Sequence, residues 1–218
     1  MPETVPPIRK RRAPVAKGTL SVPAPPAPSP HRAAAHFNRA ERLRKEGRWD
    51  AALTEYRSAV ERAADNPYYR YKLAECCAAV GLEPYAIMEM ELARDLANKD
   101  GFYHFCLGDI YKRFGRMGDA ILSLQQAVIY CPEDVYYIVK LGILYLQEGY
   151  LREAANVLRR AVELEPNNSS YHCLLGDACV SLGYERKALQ HYRCAGQLDP
   201  YDSAYVEKVR RLTLMPSM

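Results

Sequence analysis

The stretch GFYHFCLGDIYKRFGRMGDAILSLQQAVIYCPED, residues 101–134, contains the plan of the chain. Phe102, Phe105, Leu107, Ile110 and Tyr111 recur at spacings that put apolar side chains on one face of a helix. Gly115 ends that run, because glycine enters the left-handed geometry of a tight helix stop without a side-chain clash. Ala120, Ile121, Leu124, Ala127 and Val128 form the apolar side of a second helix. Pro132 stops it, having no N–H to donate and a ring that obstructs the preceding turn. The spacing predicts a helical hairpin.

The hairpin recurs on both sides. Gly47, Gly81, Gly115, Gly149 and Gly183 stand 34 residues apart, dividing the chain into units 33–66, 67–100, 101–134, 135–168 and 169–202. One globular core imposes no such period, whereas a stack of like units does, since each must present the same face to its neighbour. Unit four repeats the plan with Leu141, Tyr145, Ala154, Leu158, Ala161 and Pro166, and unit five with Leu175, Ala188, Tyr192, Ala195 and Pro200. Small residues return where two helices must cross closely. The expected fold is all-α, a right-handed solenoid of five helix–turn–helix units.

These units resemble the tetratricopeptide repeat, whose 34-residue signature reads W-x2-L-G-x2-Y, then A-x3-F, then P. It stands here as His104-x2-Leu107-Gly108-x2-Tyr111, Ala120-x3-Leu124, Pro132, then as Ile138-x2-Leu141-Gly142-x2-Tyr145, Ala154-x3-Leu158, Pro166, and as His172-x2-Leu175-Gly176-x2-Cys179, Ala188-x3-Tyr192, Pro200. The signature tryptophan is absent from all five units. Unit one places Arg39 where leucine is expected and ends Ala64-Asp65-Asn66 without proline, which suits a terminal unit. Unit two has Asn98 in place of the proline, so a looser helix end is expected there, while Pro84 falls at a tolerated helix start. After Pro200, Tyr201, Tyr205, Val209 and Leu212 share one face of a helix over 203–214, with Asp202 or Ser203 as N-cap. That helix is read as a cap on unit five, the alternative being a helix that docks on a partner.

The resemblance implies protein binding through the concave face, lined by the first helix of each unit. It places Phe37, Tyr71 and Phe105 (fifth in their units) and Tyr68, Phe102 and Tyr136 (second) in that groove, with Glu41, Glu75 and Asp109 (ninth) along its edge. Such a groove suits a peptide or helix with apolar and basic side chains. The competing reading is that the aromatic residues pack against the next unit and complete the core. The two-carboxylate clamp by which relatives hold heat-shock C-termini is not expected, because Phe37, Glu41, Tyr71, Glu75 and Phe102 occupy its places and acids repel a carboxylate ligand.

Of 218 residues, the first 32 hold six basic side chains and one acid, a net +5, while the remaining 186 hold 24 basic and 25 acidic groups, a net −1. The basicity belongs to a Pro-rich tail over 1–32, expected to be disordered, and not to the repeats. Its Arg9-Lys10-Arg11-Arg12 run reads as an import signal, a nucleic-acid contact or a solubilising segment. A cytoplasmic protein is expected, or a nuclear one if that run directs import: no secretory signal or membrane-spanning run is seen. The seven cysteines lack paired spacing and read as buried reduced thiols. His36, His104 and His172, in alternate units, lie too far apart to share a metal, so neither metal nor cofactor is expected. No catalytic motif is present, and an adaptor is the leading expectation. A protein that contacts RNA or DNA through its tail and a regulatory subunit of an enzyme complex are the alternatives.

Overall fold

The structure is a computed structural model that describes residues 30–214. The Arg9–Arg12 run lies outside the described residues. Within them the chain forms eleven α-helices and no strand: α1 (Pro30–Lys45), α2 (Trp49–Arg62), α3 (Pro67–Ala79), α4 (Glu83–Leu96), α5 (Gly101–Arg113), α6 (Met117–Tyr130), α7 (Val135–Gln147), α8 (Leu151–Leu164), α9 (Ser169–Ser181), α10 (Glu185–Leu198) and α11 (Ser203–Leu214). Helix α1 starts at Pro30, so Pro30, His31 and Arg32 belong to a helix and not to the expected tail. Proline is at home there, since the first turn needs no N–H.

Each reversal is made by one glycine. Gly47, Gly81, Gly115, Gly149 and Gly183 take φ of +74° to +80°, and no other residue type described has positive φ. After α5, Gly115 N–H donates to Lys112 C=O at 3.0 Å and Arg116 N–H to Tyr111 C=O at 2.9 Å. That paired closure satisfies two carbonyls that the helix end would otherwise strand. The outer bond of the pair recurs as Arg48 to Leu43, Leu82 to Cys77, Tyr150 to Tyr145 and Tyr184 to Cys179.

A second 34-residue row starts the first helices. Asn66, Asp100, Asp134, Asn168 and Asp202 each accept from a backbone N–H of the following turn, at 2.9–3.2 Å. Each cap contributes about 1 kcal/mol. Asp202 is therefore the cap of α11, one of the two residues expected. The other helix ends keep register: α6, α8 and α10 stop two residues before Pro132, Pro166 and Pro200, and α4 stops at the same place without a proline. Ala97 N–H closes α4 on Ala93 and Arg94, and Asn98 C=O accepts from His104 Nε2 at 2.9 Å, which fixes the end.

Within a hairpin the helices meet at a small residue: Ala40, Ala74, Gly108, Gly142 or Gly176, all buried. A Cβ on Gly142 would lie 2.7 Å from Leu158 Cγ, so no side chain fits there without displacing a fully buried leucine. Ala52, Ala86, Ala120, Ala154 and Ala188, with Ala59, Ala93, Ala127, Ala161 and Ala195, are all 0% exposed on the second helices. Successive first helices approach each other (α3 with α5, α7 with α9) more closely than successive second helices do. The first helices thus line the inner side of the bend.

The fourth residue of each unit faces the twenty-third across the hairpin. His36 Nδ1 meets Glu55 at 2.7 Å, Arg70 meets Glu89 at 2.7 Å, and His172 Nδ1 meets His191 Nδ1 at 3.3 Å. His172 Nε2 lies 3.0 Å from Pro166 C=O, so that nitrogen carries the proton and its bare Nδ1 accepts from His191. Helix α11 packs on α10 with Tyr205 buried and Val209 and Leu212 against the unit-five core. Tyr201, expected on that face, precedes the helix and is 98% exposed. Cys76, Cys77, Cys106 and Cys179 are buried, and burial pushes the Cys106 thiol up to about 12.

Two predictions follow from this packing. Gly142→Ala should cost about 1–3 kcal/mol by overpacking Leu158. Urea unfolding should show that loss, with partial recovery in the Gly142→Ala/Leu158→Met double variant, which copies the Ala74–Met90 pair of unit two. Burial, His172 and Arg159 hold the His191 pKa below its ordinary 6.5. The unfolded chain then binds that proton more readily, so this contribution to stability is present above pH 6.5 and is lost as pH falls through the folded value. Thermal unfolding from pH 7.5 down to about 5 should show it, and His191→Gln, which still offers His172 a donor, should flatten the slope.

Candidate protein-binding groove

The residues expected in the groove do lie on first helices, and the structure divides their work. Phe37 stacks on Tyr69 of the next unit (centroids 4.6 Å apart, 18° between planes), and Phe105 stacks likewise on Tyr137 (5.0 Å, 17°). Tyr71 meets Phe102 edge-on at 5.1 Å, and Phe102 meets Tyr103 at 5.2 Å. Such pairs add about 0.5–1.5 kcal/mol each beyond burial. Phe37, Tyr71, Phe102 and Phe105 are half-buried and join units together, while Tyr68 and Tyr136 stand 45% and 54% exposed. The packing reading therefore holds for Phe37, Tyr71, Phe102 and Phe105, while Tyr68 and Tyr136 keep about half of their surface exposed.

The rings they stack on form a row of their own. Tyr69, Tyr103, Tyr137, Tyr171 and Tyr205 recur every 34 residues, third in units two to five and third after the end of unit five, a periodic signal that the second and fifth places do not contain. Tyr205 belongs to α11, which thus follows the first-helix pattern of a further unit.

The acidic edge is not free charge. Glu41 accepts from Arg44 at 2.9 Å and from the Tyr56 hydroxyl. Burial opposes its charge, yet those two bonds, with the charges of Arg44 and Lys72, hold its carboxyl below the usual range. Glu75 accepts from Tyr71 O–H at 2.8 Å and from Lys72 at 2.6 Å, and Lys72 also lies over the Tyr71 ring at 4.7 Å. Asp177 accepts from Tyr192 O–H at 2.6 Å and from Lys208 of α11. Burial and the Asp177 hydrogen bond both push the Tyr192 hydroxyl pKa upward, so it remains a donor. The expectation of a basic partner drawn to a row of acids is revised accordingly, because most of those acids are already neutralised.

Asp109 is the exception, exposed and without an ion-pair or hydrogen-bond partner among the described residues. It stands at the rim of a small pit between α5, α6 and α7. Phe105, Gly108, Leu124 and Leu144 line the pit, and Lys112 and Lys140 complete the rim. Lys140 reaches over the Tyr136 ring at 5.1 Å. The rim thus carries both signs of charge around an apolar floor, an arrangement that can seat one apolar side chain and orient the polar backbone beside it. Lys72 and Lys140 are sixth and Lys112 is twelfth in their units, places that the family resemblance also puts in the groove.

Among the described residues no three His, Cys, Asp or Glu side chains are grouped to hold a metal ion, and no helix is long and apolar enough to cross a membrane. His104 is buried, with its ring 5.0 Å from Tyr130, so it packs the hairpin.

Known proteins show the same architecture. The MamA protein superposes with a TM-score of 0.70 at 19% identity, over 81% of this chain and 97% of its own. YrrB, described as a tetratricopeptide repeat protein with an unusual peptide-binding site, gives 0.66 at 20% identity over 82% and 92%. MamA from Desulfovibrio magneticus RS-1 gives 0.66 at 20% identity over 78% and 97%. No curated protein matches by sequence. The family model described as tetratricopeptide repeat matches residues 28–67, 37–100 and 139–203. With more than half of its length matched, and with eleven helices in 34-residue register, the chain belongs to the tetratricopeptide repeat family.

Proposed function

We propose that this protein is a non-catalytic adaptor that binds a short extended or helical segment of another protein along the inner face of its first helices. The observation that carries the reading is the pairing of exposed rings, Tyr68 and Tyr136, with the apolar pit beside Phe105. Tyr68 touches Phe37 and Tyr136 touches Phe105 along one side, at 5.6 and 5.3 Å between centroids, and each keeps about half of its surface open to a ligand. Aromatic side chains on a concave wall supply anchoring area at low entropic cost. The peptide-binding site named for YrrB supports the same use of this architecture. The preferred segment offers one apolar side chain to the pit and both charge signs to the rim that Asp109, Lys112 and Lys140 form. The nucleic-acid alternative rests on Arg9–Arg12, and the near-neutral repeat body adds nothing to it.

The test compares protein captured from the native cell by the full chain and by the Tyr68→Ala/Tyr136→Ala variant. Both rings are half-exposed, so the variant should keep its helical circular dichroism, with a melting temperature lowered by a few degrees for the two lost ring contacts. Each ring removed should cost about 1–2 kcal/mol, which lowers the yield of direct partners about tenfold or more. Unchanged recovery of the same partners would rule out this face as the site.

A further inference from the structure

The outer face carries a second apolar surface that the repeat itself does not need. On α4, Tyr85, Met88, Leu92 and Leu96 follow at intervals of three, four and four, and stand 52%, 44%, 40% and 47% exposed. On α6, Leu122 and Ile129 stand 61% and 64% exposed. The inward sides of both helices are already filled by Ala86, Met90 and Ala93, and by Ala120, Leu124 and Ala127. The other units supply an internal control. The place of Met88 and Leu122 is held by Thr54, Asn156 and Gln190 in units one, four and five, and all three are exposed. The place of Leu92 is Ser58 in unit one and Arg160 in unit four. The place of Leu96 is also leucine on α8 and α10 (Leu164 and Leu198, 40% and 39% exposed), so Tyr85, Met88 and Leu92 are what set α4 apart, as Leu122 and Ile129 set α6 apart. Contiguous exposed apolar surface with a polar surround marks an interaction site.

The shape and charge of this surface define its occupant. Beside the α4 ridge a groove opens over α3, floored by Val60, Leu73 and Cys77 and walled by Tyr85 and Met88. The ridge has the spacing of one helical seam, which another helix can meet by setting its own side chains into the groove. All backbone groups of the α4 interior are used within the helix, so a strand has no edge to pair with. Of the four acids of α4, Glu89 pairs with Arg70 and Asp95 with Arg94, which leaves the charges of Glu83 and of Glu91, the latter accepting from the Tyr111 hydroxyl, uncompensated by a cation. Arg57 and Glu61 balance each other at the groove, the single acid of α6 pairs with Arg116, and neither α4 nor α6 has a lysine, whereas α8 and α10 are net positive. We propose that the α4-centred outer surface docks an amphipathic helix of another protein, apolar along one seam and rich in lysine or arginine along its flanks. The inner groove remains free in such a complex, so the chain can join two partners.

The probe is a fluorescein-labelled 14-residue leucine/lysine amphipathic peptide, with a leucine/glutamate peptide of the same pattern beside it. Fluorescence anisotropy with the full chain should show binding of the lysine peptide at least tenfold tighter than that of the glutamate peptide. Met88→Gln/Leu92→Ser, which installs residues found at the same places in units five and one, should weaken it at least tenfold at an unchanged melting temperature. Gln190→Ser, at the Met88 place on α10, should leave it unchanged. No binding, equal binding of both peptides, or full binding to the Met88/Leu92 variant would overturn the proposal. A dimer in sedimentation that this variant dissociates would overturn it in favour of a second copy. A tenfold gain in peptide binding on changing Arg9, Lys10, Arg11 and Arg12 to Glu would overturn it in favour of the chain's own basic segment.

Discussion

Everything in this molecule depends on a backbone that turns back on itself at a left-handed glycine once every 34 residues. The φ near +75° that these glycines adopt is strained for other residues, and it lets two successive N–H groups close the last turn of the helix. The second helix then starts in a fixed direction. Five identical reversals place five identical crossings, and the small residues opposite Tyr56, Met90, Leu124, Leu158 and Tyr192 become the points where the helices touch. The hairpin is thus specified locally, by residues within one unit, and only afterwards does stacking bury it.

Stacking adds the long-range part. The ring of one unit lies flat on the ring of the next at Phe37–Tyr69 and Phe105–Tyr137, and this repeated contact joins units whose backbones hydrogen-bond only at the helix start on their boundary, as Arg70 N–H to Asn66 C=O and Ile138 N–H to Asp134 C=O. It also sets what the inner face can do. A ring that joins units cannot turn to a ligand without loosening the stack, whereas Tyr68 and Tyr136, which touch the stack along one side only, keep about half of their surface open. The same economy applies to charge. Carboxylates on the inner wall are held by tyrosine hydroxyls and by arginine or lysine within hydrogen-bond reach, which makes the wall polar without making it an acidic field.

The two faces therefore differ in kind. The inner wall is an ordered network with one apolar pit and a few exposed rings, suited to selecting a short segment by shape. The outer face is unstructured by such bonds, and its apolar ridge on α4 departs from the polar pattern of the neighbouring units. The C-terminal helix ends this arrangement: Tyr205 takes the stacking place and Lys208 occupies Asp177, so the inner wall of unit five is partly closed by the chain itself.

Much of the fold was legible because it is periodic. Glycine at five equal intervals, alanine on the second helices, and proline after three of them declare hairpins, and periodicity extends each local reading to the next unit. Two further periodic rows stand in the sequence: the Asn or Asp caps from Asn66 to Asp202, of which Asp202 alone was expected, and the tyrosines from Tyr69 to Tyr205. What the sequence by itself determined is what one unit's backbone and side chains decide among near neighbours, namely helix, stop, crossing and count. Only the tertiary structure decided which rings are spent on stacking, that Glu41 meets Tyr56 and Asp177 meets Lys208, and that Tyr201 stands clear of α11. The reason is geometric: a ring or a carboxylate finds its partner across a hairpin or a unit boundary, 15 to 31 residues away along the chain for Tyr56–Glu41 and Lys208–Asp177, where distance in sequence no longer indicates which groups meet.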